Sequence, residues 1–224
     1  MSLYIVKADI TNRDVDAIVC TANTDLKLGG LIGKKIISKA GKDILTELNQ
    51  IGHCDVGKSV ITKGYGLKAR HVIHTVGPIY QDGQHGEAEL LKKAYLSALK
   101  LAVKHKLDTI EFPLISSGTY KYPTKEAAKI AIKTITKFLE TNELTVGLVI
   151  YNDKTFDTCY SLFRSYQCYV GEGYVHHVDQ WEYERETQIE RDIQYEDFES
   201  KIIRNQSKSK SLTLEKKYDL VAPE

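Results

Sequence analysis

Short apolar runs rich in β-branched residues alternate along this chain with longer stretches whose apolar residues recur at helical spacing. Strand patterns fall at residues 3–7, 17–20, 59–62, 71–75, 109–114 and 144–151. Helical patterns fall at 34–40, 43–49, 87–106 and 123–139, the last opened by Pro123. Proline suits a first helical turn because its missing N–H would have no partner there. This alternation predicts an α/β fold, a three-layer α/β/α arrangement with a mixed, largely parallel central sheet. In such sheets ligands sit beyond the C-terminal ends of the strands, so the loops at those ends are the places to search.

Two of these loops carry phosphate-site chemistry. In the first, the strand at 17–20 runs into Ala22 and Asn23, passes Asp25 and Leu28 to the pair Gly29-Gly30, and enters the helical pattern at 34. Glycine lets the backbone approach an anion closely, and the free N–H groups of a helix start favour negative charge. In the second, Ser116, Ser117, Gly118, Thr119 and Tyr120 lie between a strand and the helix at Pro123. Small residues around a glycine can turn successive N–H groups toward a diphosphate, and Tyr120 could stack on a ring. Each loop alone is also an ordinary turn. Paired across one sheet, they point to a nucleotide phosphate site.

A third stretch matches a phosphate-binding motif in letters only. Residues 52–59 read G-x-x-x-x-G-K-S, yet a helical pattern precedes them and a strand pattern follows. A P-loop needs the reverse order, strand then helix, for the helix N-terminus to meet the phosphates. The stretch is expected to be a helix-to-strand turn.

Composition sets the remaining bounds. A formal charge of +1 over 224 residues supplies no global attraction to nucleic acid or anionic lipid, so nucleotide binding would depend on local groups. Cys20, Cys54, Cys159 and Cys168 lie far apart, as expected of reduced thiols rather than a zinc ribbon or a disulfide framework. The early charges at Lys7 and Asp9 do not suit a signal peptide, and no apolar run approaches the ~18 residues of a membrane span. A cytoplasmic location is expected.

The character of the chain changes near residue 166. Residues 1–166 read as one domain and 167–224 as a charged extension, helical and then flexible. Residues 181–199 hold eight acids against two bases, whereas 201–217 hold six bases against one acid. The extension reads either as a solvated helix or as a partner-binding element.

Six motifs in order give the chain a specific resemblance. They are Ala8-Asp9-Ile10-Thr11; Val15-Asp16-Ala17-Ile18-Val19 running into Ala22-Asn23; the Gly29-Gly30 loop; Val60-Ile61-Thr62-Lys63-Gly64-Tyr65; His71-Val72-Ile73-His74-Thr75-Val76-Gly77-Pro78; and residues 112–123. The chain resembles a bacterial-type macrodomain, the ADP-ribose-binding module of the Appr-1″-p processing-like family, over roughly residues 3–166. The resemblance implies that Asp9 accepts a hydrogen bond from the adenine amino group, with the Ile10 backbone beside it. A carboxylate suits that task because it is only an acceptor. Asn23 would bond the distal ribose and is the residue assigned a catalytic role. Gly29, Gly30 and Ile32 would line one side of the diphosphate, Ser116, Ser117, Gly118, Thr119 and Tyr120 the other, with Tyr151 beside adenine. No cofactor and no metal is implied. From the residues alone, Asp9 also reads as a turn or cap, Asn23 as a strand-end turn amide, Tyr151 as packing and His74 as structural.

The departures from the family pattern cluster in the first loop. Ala8 stands where the family opens with glycine, Cys20 where it has an asparagine, and Leu28 and Leu31 where it has glycines. Hydrolytic members carry an aspartate ten residues after the second asparagine, and that position is Gly33. Asp25, in the same loop, is the carboxylate that could stand in. The expected function is binding of ADP-ribose or its derivatives, free or protein-attached, with slow hydrolysis of ADP-ribosyl or O-acetyl-ADP-ribose esters. The alternative is a regulatory module that meets a protein or RNA partner, for example a ribonuclease, through its extension. The expected partners are ADP-ribose or an ADP-ribosylated protein and a protein partner of the extension, with no membrane and no nucleic acid.

Overall fold

The computed structural model describes residues 2–170, with side chains through residue 165. Its strands are β1 (Ser2–Lys7), β2 (Ala17–Thr21), β3 (Ser59–Lys63), β4 (His71–Thr75), β5 (Thr109–Phe112) and β6 (Thr145–Ile150). They form one sheet in the order β1-β6-β5-β2-β4-β3. Every neighbouring pair is parallel except β3 and β4, which are antiparallel. The helices are α1 (Gly30–Ala40), α2 (Asp43–Ile51), α3 (Glu87–Lys104), α4 (Thr124–Leu139) and α5 (Asp153–Val170).

Both faces of the sheet are covered, which is why its strands read as near-continuous apolar runs. On one face Ile5, Val19, Ile73, Phe112 and Leu148 pack with Leu91, Tyr95 and Leu99 of α3, Ile132 and Ile135 of α4, and Phe163 of α5. On the other, Ile18, Cys20, Val72 and Val149 pack with Ile36 and Ala40 of α1 and Ile44 of α2. β2 shows the rule directly: Val19 faces one layer, Ile18 and Cys20 the other. This is the three-layer, largely parallel arrangement expected.

Several boundaries differ from the sequence expectation. α1 begins at Gly30 rather than at 34, so Ile32 and Gly33 lie in its first turn. β5 ends at Phe112, because Pro113 has no N–H to continue the ladder. α5 was not anticipated, although Phe156, Cys159 and Phe163 recur at helical spacing; it continues past residue 166 to Val170. The acidic stretch, the basic stretch and the partner role assigned to the extension lie outside the described residues. Among the described residues, no helix is long and apolar enough to cross a membrane.

Two polar anchors, one partly and one fully buried, tie the strands together away from the cavity wall. The Asp16 carboxylate accepts from the Asp108 and Thr109 N–H groups at 2.7 and 3.0 Å and from Arg70 Nη2 at 2.5 Å, joining the starts of β2 and β5. The fully buried Glu111 accepts from Arg13 Nε at 3.0 Å through both oxygens and from the Tyr4 hydroxyl. Arg13 directly follows the 3-10 turn Ile10–Asn12, so this pair pins the turn against β1 and β5. Cys20, Cys54 and Cys159 are free and buried, and burial pushes the Cys20 thiol up to about 12.

Residues 52–59 connect α2 to β3, with Gly52 capping the helix at φ +80°. Helix precedes strand, so the P-loop match has no P-loop geometry.

Candidate functional site

A cavity of about 530 Å³ opens at the C-terminal ends of β1, β2, β5 and β6. The structure brings to its wall all twelve residues singled out from the sequence. They are Asp9, Ile10, Asn23, Gly29, Gly30, Ile32, Ser116, Ser117, Gly118, Thr119, Tyr120 and Tyr151. Asp25 is exposed and is not part of that wall. His74 is fully buried in β4, with Nε2 2.9 Å from Thr62 Oγ1, and is likewise absent from the wall. Burial lowers its pKa to about 3, so it stays neutral.

The first loop is a tight turn that leaves its backbone open to the cavity. Ala22 and Leu28 form an antiparallel bridge across it. Asn23 Oδ1 accepts from the Lys27 N–H at 2.8 Å, and the Asn23 carbonyl accepts from the Leu26 N–H at 3.0 Å. Leu26, at φ +57°, drops into a small core with Leu48, Cys54 and Val76. Asn23 therefore is a turn amide and also a wall residue, with its Nδ2 donors left over. At the end of the turn Gly29 caps α1 without a side-chain bond, so the first N–H groups of the helix have no protein partner from that cap. Gly30 takes φ +65°, and a Cβ there would sit 3.5 Å from Thr119 Oγ1 of the opposite loop. The two loops face one another at that point.

Leu28 and Gly33 are coupled. A Cβ on Gly33 would lie 3.0 Å from the Leu28 carbonyl carbon and 3.1 Å from the Leu28 Cβ. Leu28, through both its backbone and its Cβ, thus crowds position 33, where the resemblance implies an acid in hydrolytic members.

The second loop is held from below. Ile115 N–H donates to Tyr95 Oη at 3.1 Å, Ser117 Oγ to the Leu114 carbonyl at 2.8 Å, and Tyr122 N–H to the Ser116 carbonyl at 3.0 Å. Ser116 is itself left-handed, at φ +64°, and its buried Oγ has no partner. These contacts curve the chain so that the N–H groups of Gly118, Thr119 and Tyr120 have no protein acceptor among the described residues. Such successive free N–H groups form an anion-binding concavity.

The remaining wall is charged. Asp9 Oδ1 accepts from Thr11 N–H at 3.0 Å and Thr11 Oγ1 at 2.7 Å, while Oδ2 accepts from Lys35 Nζ at 2.8 Å. Burial works to raise the Asp9 pKa, but the Lys35 and Thr11 hydrogen bonds outweigh it and hold the carboxyl below its ordinary range. Lys35 Nζ also lies 4.5 Å from the centroid of the Tyr151 ring. Among the described residues Asp9 is the only carboxylate on the wall, against the cations Lys27 and Lys35. Lys27 and Lys35 were missed in the sequence. With the helix started at Gly30, Ile32 and Lys35 fall three apart and share a face, which is the signal that would have found Lys35.

The one grouping of metal-ligand types among the described residues, Asp82, His85 and Glu87, lies away from the cavity. The Glu87 oxygens there already accept from the N–H groups of Gln81, Gly83 and His85 at 3.1, 3.2 and 2.7 Å, so the carboxylate staples its own loop.

A parallel α/β sheet with two anion-ready loops at its strand ends defines a class of ligand-binding α/β domain. The model of one family, the Macro domain, matches residues 19–131. The macro domain-containing protein CT2219 of Chlorobaculum tepidum is 50% identical over 137 residues, covering 61% of this chain and 80% of that protein. An O-acetyl-ADP-ribose deacetylase of Escherichia fergusonii is 42% identical over 158 residues, covering 68% and 89%. The Oceanobacillus iheyensis macrodomain solved with ADP superposes with a TM-score of 0.70 at 35% identity, covering 74% of this chain and 90% of that one. A mutant of the same macrodomain solved with ADPR gives 0.68 at 35% identity, covering 74% and 92%. The chain belongs to the macrodomain family.

Proposed function

We propose that the cavity binds ADP-ribose or an ADP-ribose derivative, free or protein-attached, and that it hydrolyses ADP-ribosyl or O-acetyl-ADP-ribose esters only slowly. The observation that carries this reading is the opposition of two sets of free N–H groups, at the start of α1 and at Gly118, Thr119 and Tyr120, across the gap between Gly30 and Thr119. A diphosphate fits between such donors, and helix starts favour its charge. Asp9, the Ile10 N–H and Tyr151 then serve the base. The Nδ2 donors of Asn23 serve the distal ribose, its Oδ1 being spent on Lys27. Relatives solved with ADP and ADPR, and one named a deacetylase of O-acetyl-ADP-ribose, support the ligand class.

Slow turnover follows from what the wall offers. A positioned general base contributes roughly 10²- to 10⁴-fold. Among the described residues the one carboxylate on the wall, Asp9, is engaged by Thr11 and Lys35. Asn23 and the free N–H groups can orient the ligand and stabilise developing negative charge, which leaves a basal rate.

Calorimetric titration with ADP-ribose tests the binding. The unmodified chain takes up about one equivalent. Asp9→Ala weakens it by roughly tenfold or more, the worth of a charged acceptor. Gly30→Glu abolishes it by placing a carboxylate where the phosphates would sit. No uptake by the unmodified chain would sink the proposal.

A further inference from the structure

At the base end of the cavity the chain's own side chain already occupies the contacts a purine would use. Lys35 Nζ sits on Asp9 Oδ2, the oxygen that Thr11 leaves over. The same ammonium lies 4.5 Å from the centroid of the Tyr151 ring, in the zone where a stacked base would lie. Tyr151 is 62% exposed with the ammonium in place, so the ring has room for a stacking partner.

We propose that Lys35 is a specificity-determining residue of this site: its ammonium stands in the place of the base, and a nucleoside diphosphate ligand seats its base only by displacing it. The inference rests on the function proposed above and concerns how that ligand is selected. Lys35 rises from the middle of α1 on a flexible stem, and its side chain is about one-third exposed, so the ammonium can swing into water. Displacement breaks a partly exposed ion pair and a cation–π contact, and together these reduce the affinity for a base-bearing ligand by about 3- to 30-fold. A ligand without a base meets no such cost. Lys35 therefore offsets part of what Asp9 and Tyr151 contribute to holding the base, and so lowers the site's preference for a base-bearing ligand.

The test compares two probes, ADP-ribose and inorganic pyrophosphate, on the unmodified chain, Lys35→Ala and Lys35→Gln at about 0.15 M salt, where charges more than ~8 Å apart are screened. The proposal expects both variants to bind ADP-ribose about 3- to 30-fold more tightly, with pyrophosphate binding unchanged or weaker. Unchanged ADP-ribose affinity in both folded variants overturns it, as does an equal loss for both probes, which would make Lys35 a simple anion attractor. Failure of all three proteins to bind ADP-ribose overturns the binding function itself and this inference with it, so the two failures are distinct.

Discussion

The crowding between Leu28 and Gly33 makes a quantitative prediction about restoring an acid to this cavity. Gly33→Asp places a Cβ 3.0 Å from the Leu28 carbonyl carbon and 3.1 Å from its Cβ, at a buried position inside α1. Overpacking of this kind costs about 1–3 kcal/mol. Two gains oppose it: a few tenths of a kcal/mol, roughly, for replacing a helical glycine, and about 0.3–1 kcal/mol for an acid in the first turn of a helix. The single variant should therefore lose up to about 2 kcal/mol, or up to about 8 °C in Tm for a domain of this size. Leu28→Gly removes the crowding side chain and frees the local backbone. In the double variant the 3.1 Å contact with the Leu28 Cβ is gone and the 3.0 Å contact with its carbonyl carbon can relax through the freed backbone, giving a favourable coupling of about 1–2 kcal/mol in a double-mutant cycle read by urea unfolding. The double variant should also hydrolyse O-acetyl-ADP-ribose about 10²- to 10⁴-fold faster than the unmodified chain, followed by acetate release. The reasoning fails if the two substitutions are additive within about 0.5 kcal/mol. It fails equally if the unmodified chain already turns over as fast as the double variant.

Acid sensitivity and strand anchoring give two further predictions. His74 is held neutral by burial, with its pKa lowered from 6.5 to about 3, so the unfolded chain binds its proton first as pH falls. Stability should be full above the ordinary histidine range and drop by about 1.4 kcal/mol per pH unit just below it, a loss of about 2 kcal/mol by roughly pH 5 in urea unfolding. A pH-independent unfolding free energy across that window would contradict the burial of His74. Glu87 adds to the loss lower down: burial alone would raise its pKa, but the backbone donors around it lower it from 4.5 to about 2, so its contribution disappears as pH falls through that range. Asp16→Ala should cost about 1–3 kcal/mol by leaving the Asp108 and Thr109 N–H groups without their carboxylate, while ADP-ribose affinity stays unchanged. Unchanged unfolding midpoints would show that the anchor is dispensable.

The fold could be read in the sequence because its signals are local. β-branched runs mark buried parallel strands, and the strand-loop-helix order at 17–40 and 109–139 places both loops at strand ends whatever the strand order proves to be. The start of α1 was misjudged for an equally local reason. Gly30 and Gly33 are poor helix formers, so the sequence pattern begins only at Lys34. That four-residue shift hid Lys35, whose place on the wall depends on sharing a helix face with Ile32. The crowding of Gly33 by Leu28 was beyond reach of any pattern, because it arises only when the Ala22–Leu28 bridge folds the loop back on the helix. Asn23 reads from the sequence as a strand-end turn amide and, by resemblance, as a ribose contact; the structure shows the turn, which takes its Oδ1, and places the residue on the cavity wall.

The central claim is that one ADP-ribose molecule lies between the start of α1 and the 116–120 loop with its base toward Asp9 and Tyr151. A crystal structure of the chain grown with ADP-ribose tests it most directly. The account predicts density for the diphosphate against the N–H groups of α1 and of Gly118, Thr119 and Tyr120, with Lys35 swung off Tyr151 and the distal ribose beside Asn23 Nδ2. Density for the ligand elsewhere on the chain, or a diphosphate turned away from both loops, would contradict it.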